Sequence, residues 1–490
     1  MTEPRPAVGA PSRSGVRRSG DDYQDLVAWC AALRAVQPNS GVTQIDMEIN
    51  GVGNVDDVIL RTVGGPDRYM QVKWATNAGD LVDTVYLTVR PNNGKSLLEK
   101  FYRSWGLLKR GAIPPAMELV TNRALDRNDP LLGLCDGRTD LLVPAVRHAT
   151  AGSDAGKRRT EWADHLGVND DDLLAMLERL VFRTGRAISA EQERAEALMI
   201  GAGLRADQAA LRLGTATVAA WVRDGRRSLT IEEIRAEIDN LDLRMTEPRA
   251  VLLVQAIARD PHPDDATVAL DWVDLYEGDS PPMRRRPKDA AGWARMSTEL
   301  DGAVAALHDA GHRDILIRGA MRQATFITIG ARLAQVTGTT VSYLQNRVLW
   351  SSDSPRADVA ELDARRTSIG QGDELAVAVG IAVDPTDAVA RYLVEAGVPA
   401  RELVTLLPNG GPHDQAVTGP GHAVAFAQHL RSRVRYELEQ RRSDRVHLFL
   451  AGPGGLALLT GHRWNRVAPT IVYEDLGPGR GYVAAFKVDA

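Results

Sequence analysis

Five residues in one short stretch carry the most pointed chemistry in this sequence: Glu48, the neighbours Asp56 and Asp57, and the outer members of the triplet Gln71-Val72-Lys73. On an extended strand, residues two apart share a face, so Gln71 and Lys73 point one way and Val72 the other. A hairpin from Asp57 to Lys73 would lay the acids beside that pair. Carboxylates held close together bind a hard divalent cation, Mg2+ or Mn2+. An ammonium beside them stabilises the extra negative charge of a pentacovalent phosphate. Phosphodiester hydrolysis needs that combination, because attack and departure both build charge on oxygen. The sequence leaves open whether Asp56 or Asp57 is the main metal ligand. The neutral Gln71 implies weak metal affinity in the absence of nucleic acid.

A second set lies toward the C-terminus. The apolar run Val446 to Leu450 leads into Ala451-Gly452-Pro453-Gly454-Gly455 and then an apolar helix. A Gly-rich turn between strand and helix lets backbone N–H groups approach phosphate at the positive end of the helix. The run Ile315 to Ile317 likewise ends in Arg318-Gly319, followed by Arg322 and Gln323. In open α/β sheets ligands lie beyond the carboxyl ends of the strands, where both turns fall.

Other motifs fail on inspection. Gly94-Lys95-Ser96 ends like a phosphate-binding P-loop, but Val89 stands where its first glycine is required. There is no GxSxG elbow, and the histidines are too scattered for a zinc or triad constellation. Cys30 and Cys135 are too few for a disulfide framework and read as buried thiols.

The elements that must position these residues can be read from periodicity. The chain has 490 residues, 44% hydrophobic and 25% charged, an ordinary soluble balance that supports several domains. No apolar run reaches the ~18–20 residues of a membrane span, so a cytoplasmic protein without membrane attachment is expected. The net charge of −5 leaves no global basic footprint for nucleic acid. Residues 1–19, rich in Pro, Arg, Gly and Ser, read as a disordered tail; Arg17-Arg18 is followed by acids rather than the apolar stretch of an export signal. Residues 20–130 read as one α/β layer in the order α-β-β-β-β-α-β, with strands at 44–49, 55–63, 68–74, 84–89 and 117–121. A helix over 96–109 offers Lys95, Lys100, Arg103, Lys109 and Arg110 as a DNA-facing side. Residues 131–245 read as a helical connector, in which Ala206 to Arg226 has a helix-turn-helix look around Leu213-Gly214. Residues 246–490 alternate strand and helix twice over, as two Rossmann-like halves.

The order of these elements resembles the PD-(D/E)xK nuclease superfamily, in the Mrr-like variant where Gln replaces the second acid to give QxK. The resemblance implies a restriction-endonuclease-like core with Asp57 (or Asp56), Gln71 and Lys73 at its centre. Glu48 would be a further ligand, Gln24 a supporting polar residue, and the Val72 carbonyl a metal ligand. The tail Val446-His447-Leu448-Phe449-Leu450-Ala451-Gly452-Pro453, with Pro469-Thr470-Ile471-Val472-Tyr473-Glu474 and the run Tyr482 to Val488, resembles a SAVED domain, a fusion of two CARF-like Rossmann units that binds cyclic oligonucleotides. That resemblance implies a pocket near Arg318, Gly319, Trp350, Pro408, Gly452, Pro453, Gly454, Tyr473 and Glu474, with Trp350 or Tyr482 stacking on a base and Arg318 meeting phosphate.

The two together resemble the endonuclease effectors of CBASS anti-phage defence. The implied activity is double-stranded DNA cleavage, switched on by a cyclic oligonucleotide, a cyclic trinucleotide by preference, made by a CD-NTase. Ligand would drive self-association. Two rival readings are a non-catalytic DNA-binding regulator gated by the same class of messenger, and an enzyme that degrades the cyclic nucleotide.

Overall fold

In the computed structural model, which describes residues 13–53, 55–77, 79–92, 94–111 and 113–489, helix α1 (Arg13–Ala35) opens the chain. The expected tail is therefore helical from Arg13 onward, and its first part lies outside the described residues. Strands β1 (Val42–Met47), β2 (Val58–Thr62) and β3 (Arg68–Lys73) follow as an antiparallel meander. After a short strand β4 (Leu81–Val82) come helices α2 (Thr84–Thr88) and α3 (Leu97–Leu108), strand β5 (Ala116–Thr121) and a short strand β6 (Ala124–Leu125). Helices α4 (Asp154–Leu166) and α5 (Asp170–Leu177) precede β7 (Leu180–Arg183), and α6 (Ile188–Gly201) and α7 (Gln208–Arg223) precede β8 (Ser228–Thr230) and α8 (Ile231–Asn240). One mixed sheet in the order β7-β5-β3-β2-β1-β8 runs through this unit, with β3, β5 and β7 parallel.

Four expectations need correction here. Residues 84–88 are helical because Asp83 caps the turn, accepting the Tyr86 amide at 2.6 Å, while the Thr84 hydroxyl donates to Asp129 at 2.6 Å. Local capping outweighs the β-branched composition that suggested a strand. Residues 180–183 are a strand, with Leu180 and Phe182 buried and Val181 and Arg183 half-buried. The helix-turn-helix is absent: α7 is continuous, and a Cβ at Gly214 would lie 2.2 Å from the Trp29 ring. That glycine permits close packing of α7 on α1 rather than a turn. Finally, residues 131–245 are no separate connector, since β7 and β8 pair into the sheet and α6 to α8 build its core with α1.

The chain divides into two compact units at Pro248/Arg249. The second begins with a strand that the periodicity did not reveal, β9 (Ala250–Gln255), buried along its whole length. It continues with β10 (Val268–Asp271), α9 (Gly292–Asp309), β11 (Asp314–Arg318), α10 (Gln323–Arg332), β12 (Thr340–Gln345) and β13 (Val348–Ser351). This half is a sheet in the order β10-β9-β11-β12-β13, parallel except for β13. The second half comprises β14 (Asp363–Ser368), β15 (Glu374–Gly380), α11 (Thr386–Glu395), β16 (Ala400–Leu407), α12 (Pro420–Arg441), β17 (Val446–Ala451), α13 (Gly454–His462), β18 (Thr470–Asp475) and β19 (Tyr482–Val488). Its sheet order is β14-β16-β15-β17-β18-β19, with parallel inner strands and antiparallel edges. The chain leaves β15 toward β16 and returns on the other side to β17. The carboxyl ends of β15 and β17 thus flank a topological switch point, the usual ligand crevice of such sheets. Among the described residues, no helix is long and apolar enough to cross a membrane.

Candidate functional site

The sheet of the first unit is buried on both faces. Met70 and Val72 join the core beneath α1, whereas Tyr69 joins the core beneath α3. Alternation therefore sends Gln71 and Lys73 to the α3 side at the carboxyl end of β3. The β1–β2 loop reaches that side because Val52 and Val55 are buried there, and a Cβ at Gly53 would meet Ser104 of α3 at 2.2 Å.

Three donors converge on one oxygen. Asp57 Oδ2 accepts the Gln71 side-chain amide and, at 2.7 Å, the Val72 backbone amide, and it lies 3.7 Å from the Lys73 ammonium. Gln71 is buried, while Lys73 is 39% exposed and so open to a substrate. Asp57, directly opposite the Gln71–Lys73 pair, is the acid engaged. Asp56, beside it, has its carboxyl pushed upward by burial and then by the Asp57 charge. The Val72 group facing Asp57 is its amide.

Glu48 is placed differently. Its backbone amide donates to the Asp56 carbonyl at 2.8 Å, but its side chain turns to α1, accepting from Gln24 Nε2 at 3.0 Å, with Arg227 at 3.8 Å. A positive φ of 49° at Glu48 breaks the strand alternation there. Asp25, on α1, is pushed up to about 7 by burial, then by Asp22, Asp21 and Glu48.

The residues present fit a cation. Asp57 and Gln71 each carry a second oxygen outside these contacts, and both are hard donors of the kind such a cation takes. Mg2+ is commonly held by only one or two carboxylates and completes its shell with water and substrate phosphate. No group of three His, Cys, Asp or Glu side chains that could hold a metal occurs among the described residues. On α3, Phe101 and Trp105 belong to the core, leaving Arg103 exposed, with Lys109 and Arg110 exposed just after the helix.

In the second unit a cavity of about 900 Å³ opens at the carboxyl ends of β15, β17 and β18. That is at the upper end of the range of roughly 300–1,000 Å³ usual for ligand sites. Of the expected pocket residues it takes in Gly452, Glu474 and Tyr482. It adds Arg285, Arg322, Arg391, Arg480 and Tyr392, four guanidiniums and a second tyrosine. Arg322 follows a stretch the sequence singles out. Arg391, Tyr392 and Arg480 carry no local signal, because they sit on α11 and a surface loop that only tertiary packing brings to the crevice.

Glu474 is 3% exposed and accepts the Ala324 amide at 3.0 Å; burial pushes its carboxyl up to about 7. Arg322 hangs on backbone carbonyls, donating to those of Arg284 at 3.1 Å and Pro281 at 3.0 Å. These carbonyls aim its guanidinium, which also feels the charges of Glu474 and Asp475. Tyr482 meets Phe449 edge-on at 5.0 Å.

The other expected pocket residues serve packing. Arg318 pairs with Asp260 at 2.7 Å instead of facing the cavity. Gly319 is required because a Cβ there would lie 2.0 Å from the Val254 carbonyl. Trp350 is 5% exposed and packs on Gly455, so it cannot stack on a base. Pro408 is buried after β16. Pro453 caps α13, and a Cβ on Gly454 would meet the Phe326 ring at 2.6 Å. The glycine run thus mainly lets α13 approach its neighbours, and its Gly455 amide is taken by Gln345 at 3.1 Å. Tyr473 stacks on Phe449 at 4.3 Å and bonds His447 Nδ1 at 2.9 Å, inside the core.

No curated protein matches the chain. Solved structures that resemble it include the Cap4 SAVED/CARF-domain containing receptor of Acinetobacter baumannii with the cyclic trinucleotide 2'3'3'-cAAA, at 14% identity, covering 98% of this chain and 100% of that one, TM-score 0.46. The same receptor with 3'3'3'-cAAA matches at 13% identity over 96% and 99%, TM-score 0.47. The Moraxella osloensis Cap4 receptor matches at 13% over 96% and 100%, TM-score 0.43. Residues 297–488 match the family described as the SMODS-associated and fused to various effectors sensor domain, SAVED. The C-terminal unit therefore carries a SAVED domain.

Proposed function

We propose that this chain is a CBASS effector, a metal-dependent endonuclease for double-stranded DNA that a cyclic oligonucleotide switches on through its SAVED domain. The observation that carries the catalytic half is the convergence of Gln71, Val72 and Lys73 on one oxygen of Asp57, at adjacent strand ends with the lysine exposed. Asp57 and Gln71 would hold Mg2+ or Mn2+, which when bound supplies Lewis-acid stabilisation and an activated water. Lys73 contributes a fixed positive charge where the attacked phosphate gains negative charge. Gln71 and the Val72 amide orient the carboxylate. Exposed Arg103 on α3, and Lys109 and Arg110 just after it, attract the DNA backbone.

The sensing half rests on the SAVED match and on the four guanidiniums and two tyrosines around the switch-point cavity. A cyclic trinucleotide offers three phosphates and three bases to such a lining. Ligand favours an assembled, active state only in so far as it binds that state more tightly than the free chain. The continuity of α7 removes the helix-turn-helix, one of the two features behind the reading as a non-catalytic DNA-binding regulator, the neutral Gln71 being the other.

The test is plasmid cleavage by the full-length protein with Mg2+ and a panel of cyclic di- and trinucleotides, with light scattering to follow assembly. Cleavage with one ligand and none without it is expected. Absence of cleavage with every ligand, while one of them binds, would leave a sensor without nuclease activity.

A further inference from the structure

The middle of α12, the turns after α10 and α13 and the segment between β13 and β14 line a second, open cavity of about 600 Å³ that shares no residue with the first. Its charged lining is Arg356, Arg431, Arg433 and Arg463 against Glu361 alone. Arg433 is matched by Glu437 at 2.7 Å. The other three guanidiniums rest on neutral groups. Arg431 Nε donates to the Asn465 carbonyl at 2.9 Å. Arg463 donates to the Gln335 side-chain oxygen at 3.1 Å and the Ser352 carbonyl at 3.0 Å. Arg356 donates to His429 Nε2 at 2.9 Å.

That last bond fixes the imidazole. A guanidinium can only donate, so Nε2 accepts and the ring proton sits on Nδ1. His429 Nδ1 is buried with no partner, and so is Arg463 Nε. Burial first, and then other arginines, hold the Arg431 and Arg463 guanidiniums below the usual arginine range, Arg435 and Arg466 acting on Arg431 and Arg431 on Arg463, while both stay charged. Three partly exposed guanidiniums resting on neutral groups, with Glu361 the one acidic residue in the lining, are stabilised when an anion enters the cavity. Planar guanidiniums pre-aimed by carbonyl anchors match phosphate oxygens in pairs.

We propose that this cavity binds a polyphosphate chain, free or carried by a nucleotide. A cavity of this volume has room for more than a single phosphate, and a chain of phosphates offers charged oxygens to more than one of the three guanidiniums. Tyr436, 48% exposed on the cavity's lining, offers a ring face for a base if the chain carries one.

The proposal is tested by titration calorimetry of the full-length protein with sodium tripolyphosphate and with ATP, in metal-free buffer. Saturable binding below about 1 mM is expected for both anions, consistent with several charge-assisted contacts. The pair Arg431→Gln and Arg463→Gln should weaken it at least about ten-fold, and Arg356→Gln, at an exposed position that the fold tolerates, about three-fold or more. Equal affinity for the two anions identifies the polyphosphate chain as the ligand. Tighter binding of ATP, with the gain lost in Tyr436→Ala, identifies a nucleotide. If neither anion binds saturably, or if binding survives both Arg356→Gln and the double variant, the proposal is overturned.

Discussion

Lys73 Nζ stands 3.7 Å from Asp57 Oδ2, the same oxygen that the Gln71 and Val72 amides reach. One carboxylate is thus fixed on its inner side by β3 and left open on its outer side. Residues of β3 and the residue just before β2 share this work, which makes each of them individually testable.

Lys73→Ala removes the cation without disturbing the core, because the side chain is 39% exposed. Plasmid cleavage should fall by about 10²–10³-fold, the usual effect of deleting one charge-stabilising group. Asp57→Asn should lower it at least as far. Ligand binding by calorimetry should be unchanged in both. Cleavage at the wild-type rate by Lys73→Ala would mean that chemistry occurs elsewhere.

The cavity in the SAVED unit predicts a contrast between two kinds of residue. Arg322→Ala and Arg391→Ala should each weaken cyclic-oligonucleotide binding by about 10–100-fold, the worth of a charge-assisted hydrogen bond. Trp350→Ala should instead lower stability by about 3–5 kcal/mol, as truncation of a buried tryptophan does. Tyr473→Phe should leave ligand affinity within about two-fold, since the ring stays on Phe449. Calorimetry and thermal melting separate these outcomes.

Glu474 makes the second unit sensitive to pH. Its folded carboxyl titrates at about 7 against an ordinary 4.5, so the native state keeps a proton that the unfolded chain releases. The stability it contributes is complete below about pH 4.5, declines as pH rises through that window, and is lost above about 7. The difference amounts to about 3 kcal/mol at most. Glu474→Gln keeps the acceptor for the Ala324 amide and has no charge to bury. In urea titrations from pH 5 to 8, the variant should gain on the wild type as pH rises. Parallel stability profiles would show that Glu474 titrates normally.

Gly214→Ala tests the close approach of α7 to α1. A methyl group 2.2 Å from the Trp29 ring forces one helix to shift. The expected loss is about 1–3 kcal/mol, from overpacking. In this unit that lowers the melting temperature by roughly 2–4 °C per kcal/mol. An unchanged melting temperature would mean that the helices are free to part.

The residue types and their period settled a good deal without coordinates. The alternation of Gln71 and Lys73 about Val72 fixed their common face, because a strand has no other way to arrange them. The continuous Val, Ile and Leu runs from β15 to β18 marked a sheet covered on both faces, since only full burial tolerates them. Tertiary structure decided what local pattern leaves open. Glu48 turns to Gln24 and Arg227 because its positive φ interrupts the strand. Residues 84–88 coil because Asp83 caps them. Gly214 reads as a turn until Trp29 is seen against it. Trp350 and Arg318 stand at strand ends as ligand groups would, yet one fills the core and the other is held by Asp260. Arg391, Tyr392 and Arg480 reach the cavity only through the packing of α11 and the loop before β19. Which side of an element faces a crevice depends on its neighbours in space, and spacing along the chain does not encode them.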